Sequence, residues 1–253
     1  MVVYRDRAVY LSDPDVLVVA DLHLGRAESS NVDFPLGEGE DVVDRVGALL
    51  DRFEPGTVVL AGDVLDAFGR VPVTVERALD SLRATIADAA ADLVVTPGNH
   101  DAQLPIVYDG PSPDEYRLDD GTIVCHGHER PRTEAHRYVI GHDHPAIEIE
   151  GKRRPCFLYG QGVFDAGGGA GGGNGGHADN GEGGHSGTDR SADVLVLPAF
   201  NRLIRGVALN GTLAADLQSP FVRRLEAFHP VVRDEDGDET LRFPPLGKLR
   251  SHL

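Results

Sequence analysis

The sequence predicts a mixed α/β domain, and three observations carry the prediction. Short continuous apolar runs alternate with stretches of helical spacing through the first half of the chain. The second half shows alternating runs and hairpin-type turns instead. In both halves the apolar runs end on the same kind of polar cluster, built from carboxylate, amide and imidazole side chains.

Residues 1–11 alternate weakly around Tyr4-Arg5-Asp6-Arg7, consistent with an opening hairpin. Val16-Leu17-Val18-Val19-Ala20 is uninterrupted, the pattern of a strand buried on both faces. It delivers Asp21-Leu22-His23-Leu24-Gly25. In extended backbone, residues two apart share a side, so Asp21 and His23 are expected to reach one ion together while Leu22 points inward. Residues 26–40 are polar and marked by Gly and Pro, a loop leaving the site. From Asp41, the spacing of Val42, Val43, Val46, Leu49, Leu50 and Phe53 predicts a helix with one apolar face. Glu54-Pro55-Gly56 ends it. Thr57–Ala61 is the second buried strand, closing on Gly62-Asp63. A second helix is expected over about 74–90, with Val75, Leu79, Leu82 and Ile86 on one face. Leu93-Val94-Val95 then closes on Gly98-Asn99-His100-Asp101. This order implies a parallel βαβ core, in which ligands bind beyond the carboxyl ends of the strands.

Asp119-Asp120-Gly121 reads as a hairpin turn before the strand Thr122–Cys125 and the cluster His126-Gly127-His128. Tyr138-Val139-Ile140 precedes Gly141-His142-Asp143-His144-Pro145. Ala146–Ile149 and Pro155–Tyr159 read as the arms of another hairpin, so this half is expected to be mostly antiparallel. Residues 166–192 are dense in Gly with Asn, Ser and Asp, have nothing to bury, and are expected to be a disordered insertion. Its His177 and His185 are not expected to be ligands. Val194–Leu197 resumes a buried strand and Gly206–Asn210 is a further candidate. The acidic run 234–239 reads as a solvated turn, and 241–253 as a short strand with a polar tail. No repeat and no second domain is visible, so 1–253 is read as a single domain.

The chain has 253 residues, 41% of them hydrophobic. No apolar run approaches the roughly 20 residues that span a bilayer. The start has neither the apolar core nor the cleavage site of a signal peptide, and a cytoplasmic protein is expected. The net charge of -17 with only Lys152 and Lys248 as lysines suggests a surface adapted to high salt. The alternative is a protein that repels polyanions. Cys125 and Cys156 read as buried reduced thiols, since two cysteines make no secreted-type disulfide framework.

The polar clusters carry the chemistry. Asp21, His23, Asp63, Asn99, His126, His142 and His144 form a nitrogen and oxygen donor set without thiolate. Such a set suits manganese, iron, zinc, cobalt or nickel. It is too large for one tetrahedral ion and suits two divalent ions sharing one carboxylate, read as Asp63. Two such ions would leave positive charge for a hydroxide and an anionic phosphate, the chemistry of in-line phosphoryl displacement. His100, next to a ligand, is the candidate general acid, with Asp101 or Asp66 to orient it. Taken singly, each motif is an ordinary turn. The conjunction, in order and each at the end of an apolar run, is what points to a site. His128 and Asp143 are read as neighbours of it.

These motifs resemble those of the calcineurin-like metallophosphoesterases: Asp-x-His at Asp21/His23, Gly-Asp at Asp63, Gly-Asn-His-Asp at Asn99/His100, a lone His at His126, and Gly-His-x-His at His142/His144. The resemblance implies two mixed β-sheets packed as a sandwich and flanked by helices. It implies Asp21, His23, Asp63 and His144 on one metal, and Asp63, Asn99, His126 and His142 on the other. It covers about residues 15–145. Ala20–Gly25 and Leu197-Pro198-Ala199-Phe200-Asn201 also resemble a narrower group, the archaeal phosphoesterases related to the SbcD repair nuclease and the DNA-ligase-associated phosphoesterases. The expected substrate is therefore a phosphodiester, with DNA or RNA as the partner and manganese as the first metal. Arg130, Arg132 and Arg137 near the site, Lys152-Arg153-Arg154 and Arg223-Arg224 supply local positive charge. The enzymatic alternative is a phosphatase or phosphodiesterase on a nucleotide or other small molecule; the non-enzymatic one is a scaffold of this fold.

Overall fold

A computed structural model describes residues 1–26, 37–66, 69–167 and 191–250. Strands β1 (Val2–Arg5), β2 (Ala8–Leu11) and β3 (Val16–Val19) form an antiparallel meander. β3 runs parallel to β4 (Thr57–Leu60), and β4 to β5 (Asp92–Val95), in the spatial order β1-β2-β3-β4-β5. Helices α1 (Glu38–Phe53) and α2 (Val73–Asp88) make the two crossovers. α1 starts earlier than its apolar spacing predicts, because Glu38, Glu40 and Asp41 face the positive end of the helix dipole. Pro72 precedes α2, where a missing N–H costs no helical bond.

Side-chain alternation along these strands builds two cores. Leu17, Val19, Val58, Leu60 and Val95 pack against the apolar faces of α1 and α2. Val16, Val18, Val59, Ala61 and Val94 face the other way, onto Val124, Val139, Phe157, Leu195, Leu197 and Val231 of a second sheet. Each such buried Val or Leu contributes about 1.5–3 kcal/mol. The chain is therefore a two-sheet sandwich, as expected, with helices flanking the first sheet.

The second sheet has seven strands, in the order β15 (Glu239–Arg242), β14 (His229–Asp234), β11 (Phe157–Asp165), β12 (Ser191–Val196), β8 (Arg137–Ile140), β7 (Ile123–Val124), β6 (Tyr116–Arg117). It is more mixed than the alternation suggests: β8 is parallel to both β7 and β12. Parallel neighbours end on the same side, which brings the residues after β7 and β8 together. A third, three-stranded sheet joins β10 (Lys152–Pro155), β9 (Pro145–Ile149) and β13 (Val207–Ala208). The hairpin partner of β9 is thus Lys152–Pro155 rather than Pro155–Tyr159, because Phe157 already belongs to β11.

The outer face of the second sheet is covered by Leu217, Phe221, Leu225 and Phe228, and by helix α4 (Leu246–Leu249). The polar tail expected over 241–253 is therefore wrong in part: Leu246 and Leu249, one helical turn apart, are buried. The acidic run 234–239 is the solvated turn expected, exposed over 236–239, with Arg5 reaching Glu235 at 2.9 Å and Asp238 at 2.6 Å. The disorder expected over 166–192 falls mostly outside the described residues; at its margin, Ser191 and Ala192 already belong to β12. A short helix α3 (Leu104–Val107) follows the third polar cluster.

Candidate metal centre

The parallel strands β3, β4 and β5 stop at Val19, Leu60 and Val95, side by side, and their loops cross the carboxyl edge of the sheet together. The Asp21 loop runs along the Asp63 loop. Asp21 N donates to Gly62 O at 3.0 Å, His23 N to Asp63 O at 2.8 Å and Leu24 N to Val64 O at 2.9 Å. Asp21 and His23 share a side for a reason other than extended alternation. Both are left-handed, with φ of 57° and 42°, and so are Asp63, His142 and His144 at 47°, 74° and 44°. Leu22 does point into the helix-side core as expected. Left-handed non-glycine residues cost on the order of 1–3 kcal/mol each and persist where the surroundings over-determine them. The glycines of the motifs leave room for this crowding. A Cβ on Gly62 would overlap the His126 ring, and one on Gly98 the Asp63 carboxylate.

All the sequence-predicted site residues converge. The donor atoms of Asp21, His23, Asp63 and His144 lie within 4.8 Å of one another, as do those of Asp63, His126 and His142. In the first group His23 Nε2 is 3.3 Å from His144 Nε2, and Asp21 Oδ1 is 3.4 Å from the latter. In the second, His126 Nε2 lies 3.4 Å from Asp63 Oδ2, 3.2 Å from Asn99 Oδ1 and 3.1 Å from His142 Nδ1. Asp63 belongs to both groups. Its other oxygen, Oδ1, accepts the His100 backbone N–H at 2.9 Å, which turns Oδ2 towards the donors.

The donor set fits a cation. His126 Nδ1 faces the Ala61 carbonyl at 3.2 Å, and a carbonyl can only accept, so the ring hydrogen sits on Nδ1. Nε2 then presents a lone pair to an Asn99 oxygen, a carboxylate oxygen and a second imidazole. Acceptors converge in a buried place, where only a shared positive charge makes the arrangement favourable. Burial lowers the pKa of His23 and His126 to about 4 and that of His142 to about 3, so these rings are neutral and ready to ligate at neutral pH. Burial also raises Asp63, to about 7, with Asp21 and Asp101 adding to it. Burial alone would raise Asp21 and lower His144; their mutual attraction reverses both, leaving Asp21 below and His144 above its usual value.

His100 differs from the ligands. Its side chain is 29% exposed, so with the exposed Asn99 and the 20%-exposed His144 it lies at the mouth of the site, above the buried Asp21 and His126. No hydrogen bond among the described residues joins its ring to the donors. Its Nδ1 lies 3.8 Å from Asp66 Oδ1, and Asp66 in turn meets Arg26 at 3.2 Å. Asp101 is otherwise engaged. Its carboxylate accepts the backbone N–H groups of Val64, Leu65 and Gly98 at 3.2, 2.9 and 2.8 Å, tying two site loops together. Asp143 is likewise an anchor, accepting from Gln218 N at 3.0 Å and Ser219 N at 3.3 Å. His128 lies beside the second group, its ring centroid 5.2 Å from that of His126, in a cleft of about 260 Å³ also lined by Pro97, Gly98 and Arg130. Arg137 is a correction: it opens β8, whose opposite end leads to the site, some 13–16 Å away at about 3.3 Å per residue. Cys125 and Cys156 are buried free thiols, whose pKa burial raises.

Fold and donor set define a hydrolase built around divalent cations. Residues 14–179 match the calcineurin-like phosphoesterase family, and the chain belongs to it. It is a metal-dependent phosphoester hydrolase. Among solved structures it is similar to the nuclease MPE of Pseudomonas putida, at 22% identity and a TM-score of 0.57, over 90% of this chain and 88% of that one. It also matches YfcE, a phosphoesterase from E. coli, at 12% identity and a TM-score of 0.40, over 91% and 98% of the two chains. No curated protein matches the chain. No helix among the described residues is long and apolar enough to cross a membrane.

Proposed function

We propose that the chain hydrolyses phosphodiesters with two divalent ions. Asp21, His23, Asp63 and His144 would hold one, and Asp63, Asn99, His126 and His142 the other. The observation that carries this reading is that one carboxylate oxygen, Asp63 Oδ2, faces both donor groups. When bound, such a pair of ions lowers the pKa of water and neutralises charge on the phosphoryl oxygens. The protein supplies the rest. Asp66 facing His100 Nδ1 leaves Nε2 as the atom that delivers a proton to the leaving oxygen. Asp101 keeps the Asp63 and Asn99 loops in register so that this ring and the donors stay fixed. The nitrogen and oxygen donors suit manganese first, with iron, zinc, cobalt and nickel as alternatives.

Nucleic acid is the first substrate class. The nuclease that shares the fold supports it; the cleft beside His126 is of mixed charge, with Arg130 and Arg132 facing Asp114, Glu115 and Glu129. The net charge of -17 favours the second reading, a small phosphoester, wherever salt does not screen it. The test is turnover of a chromogenic phosphodiester with manganese in high salt. A rate no higher than that of His100→Ala would sink the enzymatic reading and leave a scaffold. Comparing single-stranded DNA, duplex DNA, RNA and cyclic nucleotides then sorts the substrates.

A further inference from the structure

We infer that Asn201 is a positioning residue for the metal centre: it holds the Asp21-Leu22-His23 loop in the left-handed geometry that turns both side chains towards one ion. The inference rests on the two-ion reading. Asn201 is only 1% exposed, at the end of Leu197-Pro198-Ala199-Phe200-Asn201, where β12 runs out onto the carboxyl edge of the other sheet. Its Nδ2 donates one hydrogen to Glu38 Oε1 at 2.6 Å and the other to Leu22 O at 2.9 Å, shared with His23 O at 3.3 Å. Its Oδ1 accepts from Leu203 N at 2.8 Å, which fixes the amide the right way round. Phe200 N reaches Ala20 O at 2.8 Å and Asn201 N reaches Asp21 O at 3.4 Å. Every carbonyl from Ala20 to His23 is therefore held by residues 200 and 201, while the N–H groups on the other side of the loop go to the Asp63 segment.

The holder is itself held. Arg7 donates to Ala199 O at 3.1 Å and Asn201 O at 2.8 Å, and Arg45 to Phe200 O at 2.8 Å. Arg45 lies 3.9 Å over the Phe200 ring and is anchored by Asp6 at 2.7 Å. A buried amide that merely fills its own hydrogen bonds would not need this arrangement. Here a loop with two left-handed residues, both aimed at one donor group, has its Ala20, Asp21 and Leu22 carbonyls met from one place, with the His23 carbonyl shared between Asn201 and Arg26 N at 3.0 Å. The ligands of the second group, His126 and His142, have no contact of this kind with Asn201. They meet the loop through the Asp21 carboxylate, which accepts the His142 N–H at 3.1 Å, and through Asp63, so disturbing Asn201 should loosen the Asp21/His23 ion more than the other.

Asn201→Asp keeps the shape and replaces the donating NH2 by an oxygen facing two carbonyls and Glu38. Titration of metal-free protein with manganese should show two ions on the wild type. On the variant, one ion should bind about 10–100-fold more weakly, the range for groups that orient ligands, and the other should weaken by clearly less. Hydrogen exchange without metal should rise across residues 21–24 and stay unchanged across 57–60. Asn201→Ser, too short to span both carbonyls, should give the same pattern if the aspartate variant does not fold. Equal weakening of both ions, or of neither, overturns the inference. A wild type that binds fewer than two ions overturns the two-ion reading instead; unchanged exchange across 21–24 would then overturn the positioning role as well.

Discussion

Replacing Asp63 by asparagine separates a shared carboxylate from one more buried acid. Asp63 Oδ1 accepts the His100 N–H at 2.9 Å, so an amide at this position keeps its oxygen there and turns its NH2, a donor, towards both groups. The donor atoms of each group lie within 4.8 Å of one another, so an ion in either group sits within that range of the lost charge. A divalent ion and a carboxylate about 4 Å apart in an effective dielectric of about 20 attract by about 8 kcal/mol, before the cost of keeping the carboxylate out of water. A net of about half that is about three orders of magnitude in affinity, for each ion. Asp21→Asn removes a charge from the first group alone, and Asn99→Ala a neutral donor from the second. Metal content after equilibration with manganese, together with diesterase rate, should therefore rank Asp63→Asn below Asp21→Asn, and Asn99→Ala highest. An Asp63→Asn protein that keeps either ion at wild-type affinity, or loses no more rate than Asp21→Asn, would refute the shared-carboxylate assignment.

Other outcomes follow from the same geometry. His100→Ala should lower the diester rate by about 10²–10⁴-fold while metal content stays at wild-type level; loss of metal would make His100 a ligand rather than an acid. With the Asp63 pKa raised to about 7, its proton must leave before it ligates, so manganese affinity should fall as pH drops below about 7. Calorimetry in buffers of different ionisation enthalpy should show up to about two protons released at pH 6, one from Asp63 and one from His144, whose pKa is also raised, with none from His23, His126 or His142, already neutral there; release of more would contradict this. Arg45→Met removes the buried partner of Asp6 and Asp41, which keep Arg202, and breaks the bond to Phe200 O, and should cost about 1–3 kcal/mol in urea unfolding; a change under about 0.5 kcal/mol would mean the network adds little. Deleting 168–190 joins Gly167 to Ser191. Because Asp165 and Ser191 are direct partners across β11 and β12, Ala166-Gly167 suffices as a two-residue turn, and fold and rate should survive; an unfolded product would show that the segment has a structural role.

The sequence made the clusters legible because each apolar run ends where its strand ends. Val16–Ala20, Thr57–Ala61 and Leu93–Val95 are buried on both faces, a demand that leaves little freedom in where the polar residues after them emerge. The convergence of Asp21, His23, Asp63, Asn99, His126, His142 and His144 follows from parallel pairing of β3, β4 and β5 and of β7 and β8. The pairing within the second sheet was not legible, since β7 has only two residues and its parallel neighbour is identified by distant contacts. Nor was the left-handed backbone at Asp21 and His23: alternation gives the right side for the wrong reason, because the conformation is imposed by the Asp63 loop and by Asn201. The role of Asp101 was ambiguous for a similar reason. An acid beside a histidine looks like its partner, yet its carboxylate is consumed by three backbone N–H groups, and Asp66, three residues after Asp63, stands beside His100.

The donor groups also straddle the seam of the sandwich. Asp21, His23, Asp63 and Asn99 come from the first sheet, and His126, His142 and His144 from loops of the second, so each group draws on both sheets. An ion in either group is a rivet through both layers, and it can bind only while they are closed on each other. Ligation free energy is then spent on cohesion as well as chemistry. Chelation should make the two halves part more readily than loss of a comparable surface ion would. Conversely, a change that loosens the sheet interface far from the site, at Phe157 or Val231, should register first as weaker metal retention.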